Sequence, residues 1–540
     1  MRSTMMDWPL VLDHLLERAA ALFPKKQIVS RRGDRSLVRY GYADLARRAR
    51  ALAGGLQRAG LKEGDRVATL MWNHDFHMEA YFGVPAAGGV YHTLNPRLAP
   101  DELAYIVNDA ADRFLLVDDV LLPVLARFAG EVSLERVFVA SVGGPGAPER
   151  PATYEDIERL FDEGDRGFTP LPRDEGRAAG LCYTSGTTGR SKGVSYSHRA
   201  LVLHALQEAM VDTLAVREAD VVLPVVPMFH ANAWGFPFTA ALTGAKLVLP
   251  GPHVDPDGLL DLIVGERVSI AAGVPTVALG LLQVIETKPR AFPKDMRLVI
   301  GGAAAPEAVI RAYHRLGVHV LHAWGMTEMS PVGTVCAVKS ELLELPPDEL
   351  YALRAKQGIA VPLVEVRARG AGGIVAWDGA TPGELEVRGP WVAARYFGAE
   401  RGEDRWTDDG WFRTGDIVMI DAEGYVQIVD RAKDLIKSGG EWISSVALEN
   451  ALMGHDAVRE SAVIAIPHPK WGERPLAVVV LRSGKAATEE DLRAHLAKTF
   501  PSWALPDGYV WRDEIPRTAA GKFLKSKLRE ELHGWTPEGT

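Results

Sequence analysis

The chain has 540 residues, is 47% hydrophobic and 24% charged, and carries a formal net charge of −9. That length exceeds what one hydrophobic core organises, so two or more domains are expected, and the acidic balance excludes a general nucleic-acid footprint. Cys182 and Cys336 are the only cysteines, which excludes a disulfide scaffold or cysteine-rich metal site and suits a reducing, cytoplasmic compartment.

Residues 1–16 carry Asp7, Asp13 and His14 and lack a continuous apolar run, so no secretory signal is expected there. Leu12, Leu15, Leu16 and Ala19 share one face of a helix over 10–22. Residues 27–30 and 36–40 read as a hairpin, 42–59 as a helix stopped by Gly60, and 65–71 as a buried strand. His74 and His77 follow without a third ligand nearby, so packing is their expected role. A helix over 100–110 and a strand over 113–118 continue an alternation that predicts a parallel α/β core.

The Gly/Pro-rich stretch 143–151 and residues 169–173 read as connectors. They lead to a strand over 179–183, a second over 194–197, and a helix over 198–210 capped by Ser197. Residues 221–250 are the most apolar region, but prolines, His230, Asn232 and Lys246 interrupt them. They read as buried strands, turns and a helix, so no stable membrane insertion is expected. Strands over 221–223, 246–249, 270–273 and 298–300 follow, the last running into Gly301-Gly302-Ala303-Ala304. Those small residues suit either close approach of a flat ring or tight packing.

From residue 364 short β-like runs between turns predict a β-rich subdomain. The charged segment 430–434 looks like a hinge. Beyond it, helices over 445–453, 488–498 and 524–532 alternate with strands over 461–466, 476–481 and 508–512. The expected fold class is therefore α/β and α+β. A large N-terminal domain over 1–429 would hold stacked α/β subdomains and the β-rich one. The hinge over 430–434 would join it to a small α+β domain over 435–540.

The densest chemistry lies in residues 183–193, where Tyr183, Thr184, Ser185, Gly186, Thr187, Thr188, Gly189, Arg190, Ser191, Lys192 and Gly193 combine hydroxyls, glycines and one lysine. Inward-turned amides, hydroxyl donors and a point charge suit a phosphate chain. The nucleoside-triphosphatase loop GxxxxGK[ST] does not fit, because Gly193 follows Lys192 and a strand follows the loop. Residues 189–193 match GxSxG, but Ser191 lies deep in a polar loop, not on a strand-to-helix turn. A flexible polar surface loop is the bland alternative.

The order Tyr-Thr-Ser-Gly-Thr-Thr-Gly-x-x-Lys-Gly resembles the phosphate loop of the adenylate-forming family of acyl-CoA synthetases, luciferases and peptide-synthetase adenylation domains. Further matches follow in family order: residues 324–328 (Trp-Gly-Met-Thr-Glu), 413–416 (Arg-Thr-Gly-Asp), 430–434 (Asp-Arg-Ala-Lys-Asp) and 516–522 (Pro-Arg-Thr-Ala-Ala-Gly-Lys). The resemblance covers nearly the whole chain. Residues 436–445, and Trp234 as a tunnel gate, resemble bacterial long-chain fatty acyl-CoA synthetases. Medium-chain synthetases and 3-methylmercaptopropionate-CoA ligases share the former run.

The resemblance implies an acid–CoA ligase, taking ATP, Mg²⁺, coenzyme A and a carboxylic acid, with a medium- or long-chain fatty acid preferred over a short acid. Thr184, Ser185, Gly186, Thr187, Thr188 and Lys192 would hold the β- and γ-phosphates, and Glu328 with Thr184 the metal. Gly302, Ala303, His322, Ala323, Trp324 and Thr327 would line the adenosine site, with Asp416 and Arg431 at the ribose. The family aromatic is commonly tyrosine; Trp324 keeps the stacking face but loses the hydroxyl. Lys522 would reach the α-phosphate and the acid's carboxylate, and His230 and Trp234 would face the acid. The C-terminal domain would turn about Lys433, replacing the Lys522 loop with Lys437, Gly439, Gly440, Glu441 and Trp442 beside coenzyme A, with Lys437 and Trp442 near the nucleotide. A homodimer is expected from the same resemblance. An acyl hydrolase using Ser191 and a non-catalytic nucleotide-binding relative are the competing readings.

Overall fold

A computed structural model describes residues 3–144, 146–162, 164, 166, 168–171, 174–184, 190–399, 404–439, 441–517 and 523–535. Four sheets organise these residues. In the first, Glu155–Asp156, Arg136–Ala140, Asp112–Asp118, Arg66–Leu70, Val90–Thr93 and Ala178–Tyr183 run parallel in that spatial order. Gly193–Ser197 closes the edge antiparallel to Ala178–Tyr183. The alternation of short apolar strands with helices thus yields the expected parallel core.

The second sheet places Val221–Pro224, Lys246–Leu249, Ile270–Gly273, Arg297–Ile300 and His319–Gly325 parallel at its centre. Gln27–Arg31 joins it parallel to Lys246–Leu249 and carries the expected hairpin partner Leu37–Gly41. Helix Tyr42–Arg58 buries one side against helix Asp75–Ala86 and Leu12–Leu22. Helix Asp75–Ala86 is buried on nearly every face, so no amphipathic period marks it in the sequence. His74 and His77 serve packing, as expected: His74 Nε2 meets Asp118 at 2.8 Å, and His77 Nε2 meets Thr69 Oγ1 at 3.0 Å.

Residues 365–431 form the β-rich subdomain, an antiparallel sheet ending in Phe412–Ile420 and Val426–Arg431. Asp430 and Arg431 therefore belong to a strand. The C-terminal part packs Ser445–Met453, Glu489–Leu496 and Lys525–Glu531 on a sheet built round Val458–His468 and Gly472–Leu481. Lys437, Glu441 and Trp442 lie in a short hairpin of Ile436–Ser438 and Glu441–Ile443. Among the described residues no helix is long and apolar enough to cross a membrane.

Candidate functional site

The antiparallel pair Ala178–Tyr183 and Gly193–Ser197 pins the two ends of the hydroxyl-rich loop together. Thr184 N donates to Lys192 O at 2.9 Å, and Lys192 N donates to Thr184 Oγ1 at 3.1 Å. Ser185, Gly186, Thr187 and Thr188 lie outside the described residues. Ser191 is buried, its amide donates to Glu102 Oε1 at 3.0 Å, and it precedes a strand. That is not the exposed strand-to-helix turn of a nucleophile elbow. Ser197 caps helix His198–Ala209 by accepting from Ala200 N at 3.1 Å, as its sequence position predicts.

Thr184 and Lys192 open onto a cavity of about 380 Å³ shared with His230, Trp234, Gly302, Ala323, Trp324, Thr327, Glu328, Arg431 and Lys433. Residues far apart in sequence thus meet in one cavity. Two others in the lining, Tyr396 and Arg405, carry no sequence signal. Tyr396 is buried; its ring underlies the Lys192 ammonium at 4.6 Å, and its hydroxyl donates to Glu328 Oε1 at 2.8 Å. Glu328 Oε2 has no hydrogen bond among the described residues. Glu328 is buried as a residue, and a buried carboxylate is costly unless cations or donors join it. The donor set, Glu328 with the Thr184 hydroxyl, is all oxygen and fits Mg²⁺.

The Trp234 wall of this cavity is built on an unusual backbone. Ala231, Asn232, Ala233 and Trp234 have φ of 42°, 56°, 51° and 56°, and Gly235 follows at 86°. This left-handed turn lays the Trp234 ring against Gly301, where an added Cβ would stand 3.1 Å from the ring. Across the cavity, Val332 donates its amide to His204 Nε2 at 3.1 Å. Burial lowers the His204 pKa to about 3, which keeps the ring neutral and able to accept. Sequence reasoning missed His204, because it reaches the cavity wall only through that contact.

A second cavity, of about 270 Å³, lies beside Gly302, Ala303, His322, Ala323, Trp324, Asp416, Arg431 and Lys433. Gly302 has φ +80°, a conformation that a side chain would strain. Both His322 nitrogens meet protein: Nε2 accepts from Ala305 N at 3.2 Å, and Nδ1 faces Ala355 O at 2.9 Å. Burial lowers its pKa to about 4. His322 thereby fastens the small-residue turn to the sheet. Asp416 is buried; Trp324 Nε1 donates to its Oδ2 at 2.9 Å, and Arg431 Nε lies 2.6 Å from its Oδ1. The indole N–H therefore gives Trp324 a polar contact that the sequence reading did not foresee.

Across the hinge-like segment, Asp430 Oδ2 accepts from Ser445 N at 2.7 Å and Ser445 Oγ at 2.6 Å. Lys525 Nζ reaches Glu449 Oε1 at 2.6 Å, and burial pushes the Glu449 carboxyl up to about 7. Neither cavity is lined by Lys437, Gly439, Glu441 or Trp442. In the hairpin, Lys437 Nζ lies 4.9 Å over the Trp442 ring and Gly439 has φ +60°. Gly440 and Lys522 are outside the described residues.

Stacked parallel α/β sheets, a small C-terminal unit and a cavity shared by Thr184, Lys192 and Glu328 fit an enzyme of the adenylate-forming class. Two family models match: "AMP-binding enzyme" over residues 16–397 and "AMP-binding enzyme C-terminal domain" over 447–522. The chain belongs to the AMP-binding enzyme family, among its acyl-CoA ligases, which use ATP, Mg²⁺ and coenzyme A. It is 53% identical to a long-chain-fatty-acid–CoA ligase of Thermus thermophilus over 99% of this chain and 97% of that one. It is 42% identical to a 3-methylmercaptopropionyl-CoA ligase of Ruegeria lacuscaerulensis over 98% and 99%. The ATP-bound crystal structure of MatB from Rhodopseudomonas palustris superposes with a TM-score of 0.80 at 27% identity, covering 96% of this chain and 99% of that one.

Proposed function

We propose that the protein joins a medium- or long-chain fatty acid to coenzyme A through an acyl-adenylate. The acid's carboxylate oxygen attacks the α-phosphorus of ATP and pyrophosphate leaves. The coenzyme A thiol sulfur then attacks the acyl carbon, losing its proton, and AMP leaves. The observation that carries the reading is one cavity that joins Thr184, Lys192 and Glu328 to His230 and Trp234. It sets a polyanion site beside an apolar, histidine-bearing wall.

In this reading Lys192 and Thr184, with Ser185, Gly186, Thr187 and Thr188, neutralise and orient the β- and γ-phosphates. Mg²⁺ held by Glu328 and Thr184 supplies further charge neutralisation on the phosphates. Gly302, Ala303, Ala323, Trp324 and Thr327 bound the nucleoside, with His322 setting the turn beneath it, and Asp416 accepts the ribose hydroxyls beside Arg431 and Lys433. His230 and Lys522 face the acid's carboxylate. Lys437, Gly439, Gly440, Glu441 and Trp442 serve the thioester step after residues 435–540 turn as a domain against 1–429 about the 430–434 segment, which excludes water from the mixed anhydride.

A second reading, a short acid such as 3-methylmercaptopropionate, is favoured by the closure of Trp234 over Gly301, which shortens the space for a tail. AMP release measured across acids from acetate to palmitate, with 3-methylmercaptopropionate included, tests both. A maximum at C8–C18 supports the first reading; a maximum at the short thioether supports the second. No AMP release with any acid removes both.

We further propose a cytoplasmic homodimer. Both cysteines are free and buried, and Met5, Met6 and Trp8 stand exposed near the N-terminal end. Sedimentation at micromolar concentration tests the dimer.

A further inference from the structure

Trp324 lines both cavities and stands between the phosphate-facing and nucleoside-facing halves of the site. Its ring lies where a neighbour has no side chain: a Cβ on Gly333 would stand 2.7 Å from Cζ3. The ring so held aims its only donor, the indole N–H, at Asp416 Oδ2 across 2.9 Å. Arg431 Nε takes the other oxygen at 2.6 Å. A carboxylate offers about four acceptor positions, two on each oxygen. The indole fills one position on Oδ2 and the Arg431 ion pair flanks Oδ1, so acceptor capacity remains on both oxygens. Two remaining acceptors on adjacent oxygens match the two hydroxyls of a cis-diol.

We infer that Trp324 is a positioning residue that sets sugar specificity: through Asp416 it selects a ribose over a deoxyribose nucleotide. The inference rests on the reading of Asp416 as the ribose acceptor. Without the indole donor, the Arg431 guanidinium can take both carboxylate oxygens in a planar fork. That turn carries the two remaining acceptor positions away from the diol. Phenylalanine at 324 keeps an aromatic face for adenine but removes the donor together with part of the ring, so the sugar preference, and not the ATP KM alone, reports the donor. The effect therefore belongs to nucleotide binding, not to the chemical step.

The test measures acid-dependent pyrophosphate release with ATP, 2′-deoxyATP and 3′-deoxyATP on the full chain and on Trp324→Phe and Asp416→Asn. The unsubstituted protein should favour ATP over either deoxy nucleotide by at least about tenfold in kcat/KM. In Trp324→Phe the KM for ATP should rise about tenfold while kcat stays within about twofold, and the preference should shrink to about threefold or less. An ATP KM and a preference equal to those of the unsubstituted protein would overturn the inference and leave the Asp416 reading standing. If the unsubstituted protein does not discriminate, or Asp416→Asn discriminates as well as it does, the ribose reading fails and takes the inference with it. Should Trp324→Phe not fold, Gly333→Ala displaces the intact indole by one methyl. The same narrowing is then expected, and an unaltered preference overturns the inference.

Discussion

The Tyr396 hydroxyl donates to Glu328 Oε1 at 2.8 Å while the same ring carries the Lys192 ammonium at 4.6 Å. One buried phenol thus holds the proposed metal ligand and the proposed phosphate cation in a fixed relation. A hydrogen bond to a charged group is worth about 1.5–3 kcal/mol, or roughly ten- to a hundredfold. Tyr396→Phe should keep the ring under Lys192 and lose the donor. The Mg²⁺ midpoint for pyrophosphate release is expected to rise by about tenfold, and a titration that overlays the unsubstituted one would remove Tyr396 from the metal site.

Lys522 is proposed to act only while the acid is being activated. Lys522→Ala should therefore abolish most acid-dependent pyrophosphate release yet convert preformed acyl-adenylate and coenzyme A to thioester at a near-normal rate. Equal loss in the two half-reactions would contradict alternation of two catalytic faces about the 430–434 segment.

Gly301 leaves room that a side chain would fill. A Cβ there would stand 2.9 Å from Ala323 O and 3.1 Å from the Trp234 ring. Gly301→Val is expected to reduce kcat/KM for palmitate about tenfold more than for acetate. An unchanged ratio in the AMP-release assay would place the acid's tail elsewhere.

The acid limb of stability has identifiable sources. Burial lowers His77 and His204 to about 3 and His322 to about 4. A base with a depressed folded pKa contributes stability that is fully present above its unfolded value of about 6.5 and is lost as pH falls toward the folded one. Each such ring costs up to about 1.4 kcal/mol per pH unit across that window. Urea unfolding followed from pH 7 to pH 4 should show this slope, and His204→Gln should remove about one proton's share of it. An identical slope in the variant would show that His204 titrates as in the unfolded chain.

Much of the architecture was legible because it rests on local rules. Apolar strands spaced by helices marked both parallel sheets, Ser197 marked its helix start, and the order of hydroxyls and glycines between residues 183 and 193 marked the family. Other features depend on long-range packing. Tyr396 meets Glu328 across 68 positions, Trp324 meets Asp416 across 92, and His204 meets Val332 across 128. No spacing rule joins such pairs. The hairpin at 436–443 was hidden because Gly439 and Gly440 suggest a loop, while the strands flanking them span only three residues each.

The left-handed run at residues 231–234 reverses a familiar rule of substitution. Replacing alanine by glycine ordinarily loosens a protein, since glycine has more freedom to lose. An L-residue wound the wrong way is instead penalised by about 1–2 kcal/mol, a penalty that glycine escapes. Ala231→Gly and Ala233→Gly, at φ of 42° and 51°, should therefore each leave the protein harder to melt. The two alanines thus cost heat resistance while they wind the turn that lays the Trp234 ring against Gly301.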